Sequence, residues 1–122
     1  ESSYPNYDTG EYYDTYVKFL LYGSEKVKPK PTIRIFNKVG DAYGFLTDIA
    51  YVADFENKVE FMLSATIYCN SDGIFNDDKY DYDSIGYPFM KNLGQTIYNY
   101  ELTRKRTHTP NLDKFILDYT KD

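Results

Sequence analysis

The chain has 122 residues, the length of one domain, with 14 Lys and Arg against 19 Asp and Glu and a net charge of −5. A field of that sign argues against nucleic acid and anionic membrane surfaces as main partners, and no window approaches the ~20 apolar residues of a membrane span. Aromatic residues make up 19%, fifteen Tyr and eight Phe with no Trp, so rings that keep a wet hydroxyl are expected to fill much of the core.

Residues 1–11 are rich in Ser, Tyr, Pro, Asn, Asp and Gly and read as loop. From Tyr12 to Tyr22 a broad apolar face recurs at helical spacing, and Gly23 stands where a helix C′ residue belongs. A short helix over about 12–22 is therefore expected. "SEKVKPKP" is a linker, since its two prolines stop a helix and straighten the chain.

Three strands are expected next, at about 32–38, 42–54 and 59–69. In the first, Ile33 and Ile35 alternate with Arg34 and Phe36. The second is a mostly apolar run of β-branched and aromatic residues. In the third, Val59, Phe61, Leu63, Ala65 and Ile67 alternate with Glu60, Met62, Ser64, Thr66 and Tyr68. Lys38-Val39-Gly40 is expected at the first bend, a lysine beside the small residue that a tight turn favours. "DFENK" is the second turn, and together the strands make an antiparallel meander.

"NSDGIFNDDKYDYD" carries many carboxylates. Asp72, Asn76, Asp78 and Asp81 are spaced loosely like calcium ligands, but the EF-hand order is not met. A solvated loop is the better reading. From Ser84 to Arg106, Ile85, Phe89, Leu93, Ile97 and Tyr100 form a helical stripe. This predicts a long helix over about 85–106 with Pro88 in its first turn. Arg104-Lys105-Arg106 reads as its polar last turn, where cations suit the helix dipole. The polar tail, 107–122, holds Pro110 and then "LDKFILDY", one short helix. The expected class is α+β, a single domain with its core in 12–106.

Little of the sequence announces chemistry. Cys69 is alone in an apolar strand pattern, which excludes an intrachain disulfide and makes it a small core residue. The single histidine, His108, lies in the tail, so a catalytic thiol would lack a base. There is no G-x-S-x-G elbow, no glycine-rich phosphate loop and no metal-ligand spacing, so no cofactor or metal is expected. No Ser is followed three residues later by Lys. Thr15-Tyr-Val-Lys18 has the spacing with the wrong hydroxyl.

"NKVGDAYGFLTDIAYV", then "KVEFMLSATIYCN" and "YDSIGYPFMKNLGQTIYNYELTRKR", follow one another in an order that resembles the C-terminal part of the β-lactamase and penicillin-binding serine hydrolases. There a K-[TS]-G strand is followed by a turn, two more strands and a closing helix. The string also resembles a group of exported Bacteroidetes proteins called serine hydrolases. The likeness covers about residues 12–106 and implies a partial β-lactamase-like fold. It also implies an exported protein of the periplasm or cell envelope, acting through an acyl-enzyme.

By the same resemblance, Lys38 stands at the edge of an active site and supports substrate anions and the proton network of the nucleophile. Gly40 lets the substrate backbone approach, and the N–H of Asp41 is one of two oxyanion-hole donors. Val39 replaces the family's Thr or Ser, so the hydroxyl that binds a β-lactam carboxylate is lacking. The family's nucleophilic Ser with its Lys, and its S-D-N loop, precede this region. The chain begins with Glu, as a trimmed product or fragment would. It is therefore expected to be inactive alone and to partner a missing N-terminal segment, or a second copy, through strand 59–69.

Two rival expectations stand beside these. Lys38 is otherwise an edge-strand lysine that discourages aggregation. The whole chain is otherwise a non-enzymatic binding or scaffold domain for a protein or glycan partner.

Overall fold

The computed structural model describes residues 10–116. Within them lie a one-turn helix α1 (Phe19–Tyr22), strands β1 (Ile33–Ala42), β2 (Phe45–Asp54) and β3 (Val59–Tyr68), and a long helix α2 (Tyr87–Thr103). The class is α+β. The strands form one antiparallel meander in the order β1-β2-β3, with Ala42 opposite Phe45 and Asp54 opposite Val59. No helix among the described residues is long and apolar enough to cross a membrane.

β1 runs four residues past its expected end, to Ala42, and β2 begins three residues late, at Phe45, so the first bend moves along the chain, while β3 lies where it was expected. Lys38, Val39 and Gly40 are interior to β1, paired with Ile49, Asp48 and Thr47. The chain reverses at Tyr43 and Gly44, whose φ of 54° and 86° are both left-handed. That is the two-residue turn whose twist matches the flanking strands. Tyr43 takes a conformation that usually goes to Asn or Asp, which is why the turn was hard to read. Gly44 is required twice over: by its φ, and because a Cβ there would stand 2.4 Å from the Cβ of Asn70.

Alternation gives the sheet two unlike faces. Ile33, Leu46, Ala50, Val52 and Val59 are buried on the helix-covered face, with Ile35, Val39, Phe61, Leu63 and Ile67 half-buried beside them. The opposite face leaves Phe36, Phe45, Ile49, Met62 and Tyr68 exposed. Phe115 covers one end of it, its ring 5.6 Å from Phe36 and 5.0 Å from Tyr51. The preceding Leu112 is buried.

The N-terminal helix is shorter than the expected 12–22. Residues 10–17 are mostly turns. Leu20 and Leu21 leave helical geometry, with ψ 112° and φ 100°. Their side chains are buried nonetheless, so the apolar spacing marked a core segment and not a regular helix. Gly23 does close this segment, at φ 58°, its N–H donating to the carbonyl of Phe19.

A wider, π-type turn over Tyr82–Gly86 leads into α2, and Pro88 sits in the first turn as expected. The buried face of α2 is Met90, Gly94 and Glu101. The predicted stripe holds only in part: Leu93 packs on the core and Ile97 is half-buried, but Ile85, Phe89 and Tyr100 are exposed. The helix ends before the basic cluster. Arg104 caps it and pairs with Glu101 through two hydrogen bonds of 3.0 Å and one of 2.7 Å. Arg106 donates to the carbonyls of Lys58 and Asn57 in the β2–β3 turn. The tail forms one tight turn over Asp113–Phe115, and the rest of the expected helix, from residue 117, lies outside the described residues.

Candidate functional site

The three residues singled out in the sequence all lie on β1, an edge strand. Their side chains do not converge. Alternation puts Lys38 and Gly40 on the face away from the helices and Asp41 on the helix-covered face. Lys38 is exposed, and its ammonium reaches the carbonyl of Val39. Nothing lies within 4 Å of where a Gly40 side chain would stand, so the backbone is open there.

The ladder register decides where the Asp41 N–H points. In a two-residue hairpin the pair flanking the turn, Ala42 and Phe45, is the hydrogen-bonded one. Hydrogen-bonded and non-bonded pairs then alternate. Val39 and Asp41 are therefore non-bonded positions, and their N–H and C=O groups project from the outer edge of the sheet, which no strand among the described residues covers. The same alternation on β3 agrees with the bond from the Cys69 N–H to the Gly44 carbonyl, 2.7 Å. It turns the N–H groups of Glu60, Met62, Ser64, Thr66 and Tyr68 outward.

At this end of β1 the Asp41 side chain enters a cleft of about 490 Å³. It is shared with the Tyr43 turn, Asn76 and Asp78 of the acidic loop, and Tyr82, Asp83 and Tyr87 leading into α2. The loop is held mostly by its own side chains. Asn70 accepts from the Gly73 N–H at 3.2 Å, Asp72 from the Ile74 N–H at 2.9 Å and Asp81 from the Ser71 N–H at 2.9 Å. Among the described residues no three His, Cys, Asp or Glu side chains gather as a metal site.

Two buried carboxylates escaped the sequence reading. Asp48, in the middle of β2, accepts from the Leu20 N–H and from Asn37 Nδ2, both at 3.0 Å. The same Asn37 amide donates to the Val17 carbonyl at 2.7 Å. Burial pushes the Asp48 carboxyl up, against these hydrogen bonds and the charge of Lys18. Burial likewise lowers Lys18, opposed by Asp48. A lone Asp in an apolar strand was the available signal.

Asp54, at the end of β2, accepts from Tyr98 Oη at 2.6 Å, from Asn57 Nδ2 at 2.7 Å, and from the N–H groups of Glu56 and Asn57. Burial raises its pKa, but these donors together outweigh burial and hold it below the usual value.

The Thr15–Lys18 spacing is structural. The Thr15 hydroxyl donates to the Glu25 carbonyl at 2.6 Å and ties down the linker, while Lys18 responds to Asp48. Cys69 is buried, and burial raises its thiol, with Asp81 adding to the effect. It is a core residue. No family model, no curated protein and no solved structure matches this chain.

Proposed function

We propose that this chain is the C-terminal segment of an exported serine hydrolase of β-lactamase-like type, which completes an active site whose serine lies in a preceding part of the same protein. The observation that carries the reading is the N–H of Asp41, directed off the open edge of β1 three residues after Lys38. An acyl-transfer site needs a fixed N–H donor at its rim, pointing into space that a carbonyl oxygen can occupy. A ladder-bonded N–H cannot serve.

Lys38 supplies an ammonium that is exposed on the same strand, and Gly40 leaves the approach clear. Asp41 acts here through its backbone. Val39 has no hydroxyl to offer a substrate carboxylate, so the acyl donor is expected to be something other than a β-lactam. In this reading the outward edge of β3 receives an N-terminal strand of the same fold or, failing that, a second copy of the chain.

The test compares this chain with a polypeptide extended upstream to include a Ser-x-x-Lys, using a fluorescent activated-ester acylating probe and a fluorescent penicillin. The 122-residue chain should remain unlabelled, for want of a nucleophile and base. The extended form should be acylated by the ester. Lys38→Ala should slow that acylation at least about tenfold, the loss of one charged hydrogen-bond partner worth roughly 1.5–3 kcal/mol, with the fold intact. Labelling of the short chain, or an unchanged rate in the variant, would overturn the reading. No acylation of either form would favour the binding or scaffold alternative.

A further inference from the structure

We infer that the cleft between the Tyr43 turn, the acidic loop and the start of α2 binds an organic cation, an alkylammonium group of the lysine side-chain type. Asp41, Asp78 and Asp83 bring three carboxylates to a recess of about 490 Å³, and none of the three has an ion-pair partner among the described residues. The nearest loop cation, Lys79, pairs with Asp77 at 3.8 Å instead. Among the described residues, then, no ion pair offsets the negative charge of the cleft. It is felt by the walls, since after burial itself the charge of Asp41 is the next cause raising Tyr87.

The second, independent observation is aromatic. Tyr80, Tyr82 and Tyr87 form a continuous wall, with ring centroids 5.4 and 6.4 Å apart. Two of these rings are pinned by their hydroxyls. Tyr82 Oη accepts from the Gly44 N–H at 3.0 Å, and Tyr80 Oη from the Asn76 N–H at 2.8 Å. Tyr43 also lines the cleft, and its ring meets that of Phe75 edge to face at 6.1 Å.

Ring faces attract an ammonium through their quadrupole, and carboxylates add the opposite charge. An anion would be repelled, and a neutral apolar ligand would strand the carboxylates. A bare metal ion finds no ligand cluster among these residues. A charged head on an alkyl stem satisfies both kinds of wall. This inference requires no nucleophile and does not depend on the hydrolase reading.

The experiment is a titration of the chain with Nα-acetyl-lysine methylamide, read by amide chemical shifts, beside the uncharged isostere Nα-acetyl-norleucine methylamide. The lysine probe should produce saturable shifts at Asp41, Asp83 and Tyr87, with a Kd of about 1 mM or tighter, and the isostere should produce none. The double variant Asp41→Asn/Asp83→Asn should bind about tenfold more weakly, its spectrum elsewhere unchanged. Asp78→Asn, in the loop and outside the sheet, should weaken binding in the same direction. Equal shifts from both probes, or wild-type affinity in the variants, would overturn the inference. So would displacement of the probe by millimolar CaCl₂, which would mark a metal site.

Discussion

Asp54 and Asp48 are both fully buried carboxylates on one face of one strand, yet their surroundings drive them in opposite directions. Asp54 gathers four donors and is held below its ordinary value, whereas Asp48 gathers fewer and is pushed above it. The consequence for stability differs in sign. A carboxyl depressed in the folded state contributes stability above its unfolded pKa of 3.8, and that contribution is lost as pH falls through the folded value. A carboxyl raised in the folded state weakens the fold at neutral pH and gives that loss back as pH falls through its folded value. Asp54→Ala should therefore cost roughly 2–4 kcal/mol in urea denaturation at pH 7, because it strands the half-buried Tyr98 hydroxyl and the turn amides. Below about pH 4 the variant's stability should fall less steeply than that of the wild type. An equal acid slope in both would show that Asp54 is not the group titrating. Asp48 left only the faint signal of a lone Asp in an apolar strand and Asp54 left none, because burial is set by what packs over a strand and not by the strand's own pattern. Lys38, Gly40 and Asp41 were legible as a motif, but their division between two faces needed the register.

At the scale of the elements, Gly94 decides how α2 meets the rest of the molecule. A Cβ there would lie 2.6 Å from the Leu21 nitrogen and 3.1 Å from the Leu20 carbonyl carbon. The helix thus packs directly on the backbone of the α1 segment, which is itself strained at Leu21. Gly94→Ala gains about 1 kcal/mol in helix propensity. It also forces backbone apart in a close-packed core, which costs about 1–3 kcal/mol or more. The clash is with main chain, which cannot swing aside, so the net effect should be a loss of at least about 1 kcal/mol in the urea midpoint analysis. A stabilised variant would mean that α1 yields freely. The same glycine explains why the stripe holds only in part. Large apolar residues in the sequence pointed to Ile85, Phe89 and Tyr100, but the closest face of a helix is often marked by the absence of a side chain. Gly94 and the Arg104-paired Glu101 carry no apolar signal. The strands suffered no such error, since a period of two leaves little choice of face. Only the place of the first bend was hidden, by a Tyr in a left-handed conformation.

For the molecule as a whole, the open question is what occupies the outer edge of β3. The segment that precedes β1 does not cover it. Among the described residues it lies elsewhere, bonded through Val17 and Leu20 to Asn37 and Asp48 and packed on α2. The outward N–H groups of Met62, Ser64 and Thr66 therefore have no ladder partner among the described residues. Next to them the exposed face carries Met62, 72% exposed, with Ile49 and Phe45. A row of free donors beside an apolar face is a template for another strand. In the absence of an N-terminal strand, the chain should dimerise through this edge at micromolar concentration. Light scattering should then report a mass near twice 14.3 kDa, falling on dilution. Ser64→Pro isolates the cause. Ser64 faces Ile49 at a non-bonded position, so proline there removes an outward donor and leaves the β2–β3 ladder whole. The variant should be a folded monomer, and its outward β3 amides should exchange quickly, as free donors do. A wild-type chain that is monomeric, with the Met62, Ser64 and Thr66 amides already protected, would show that the edge is covered from within.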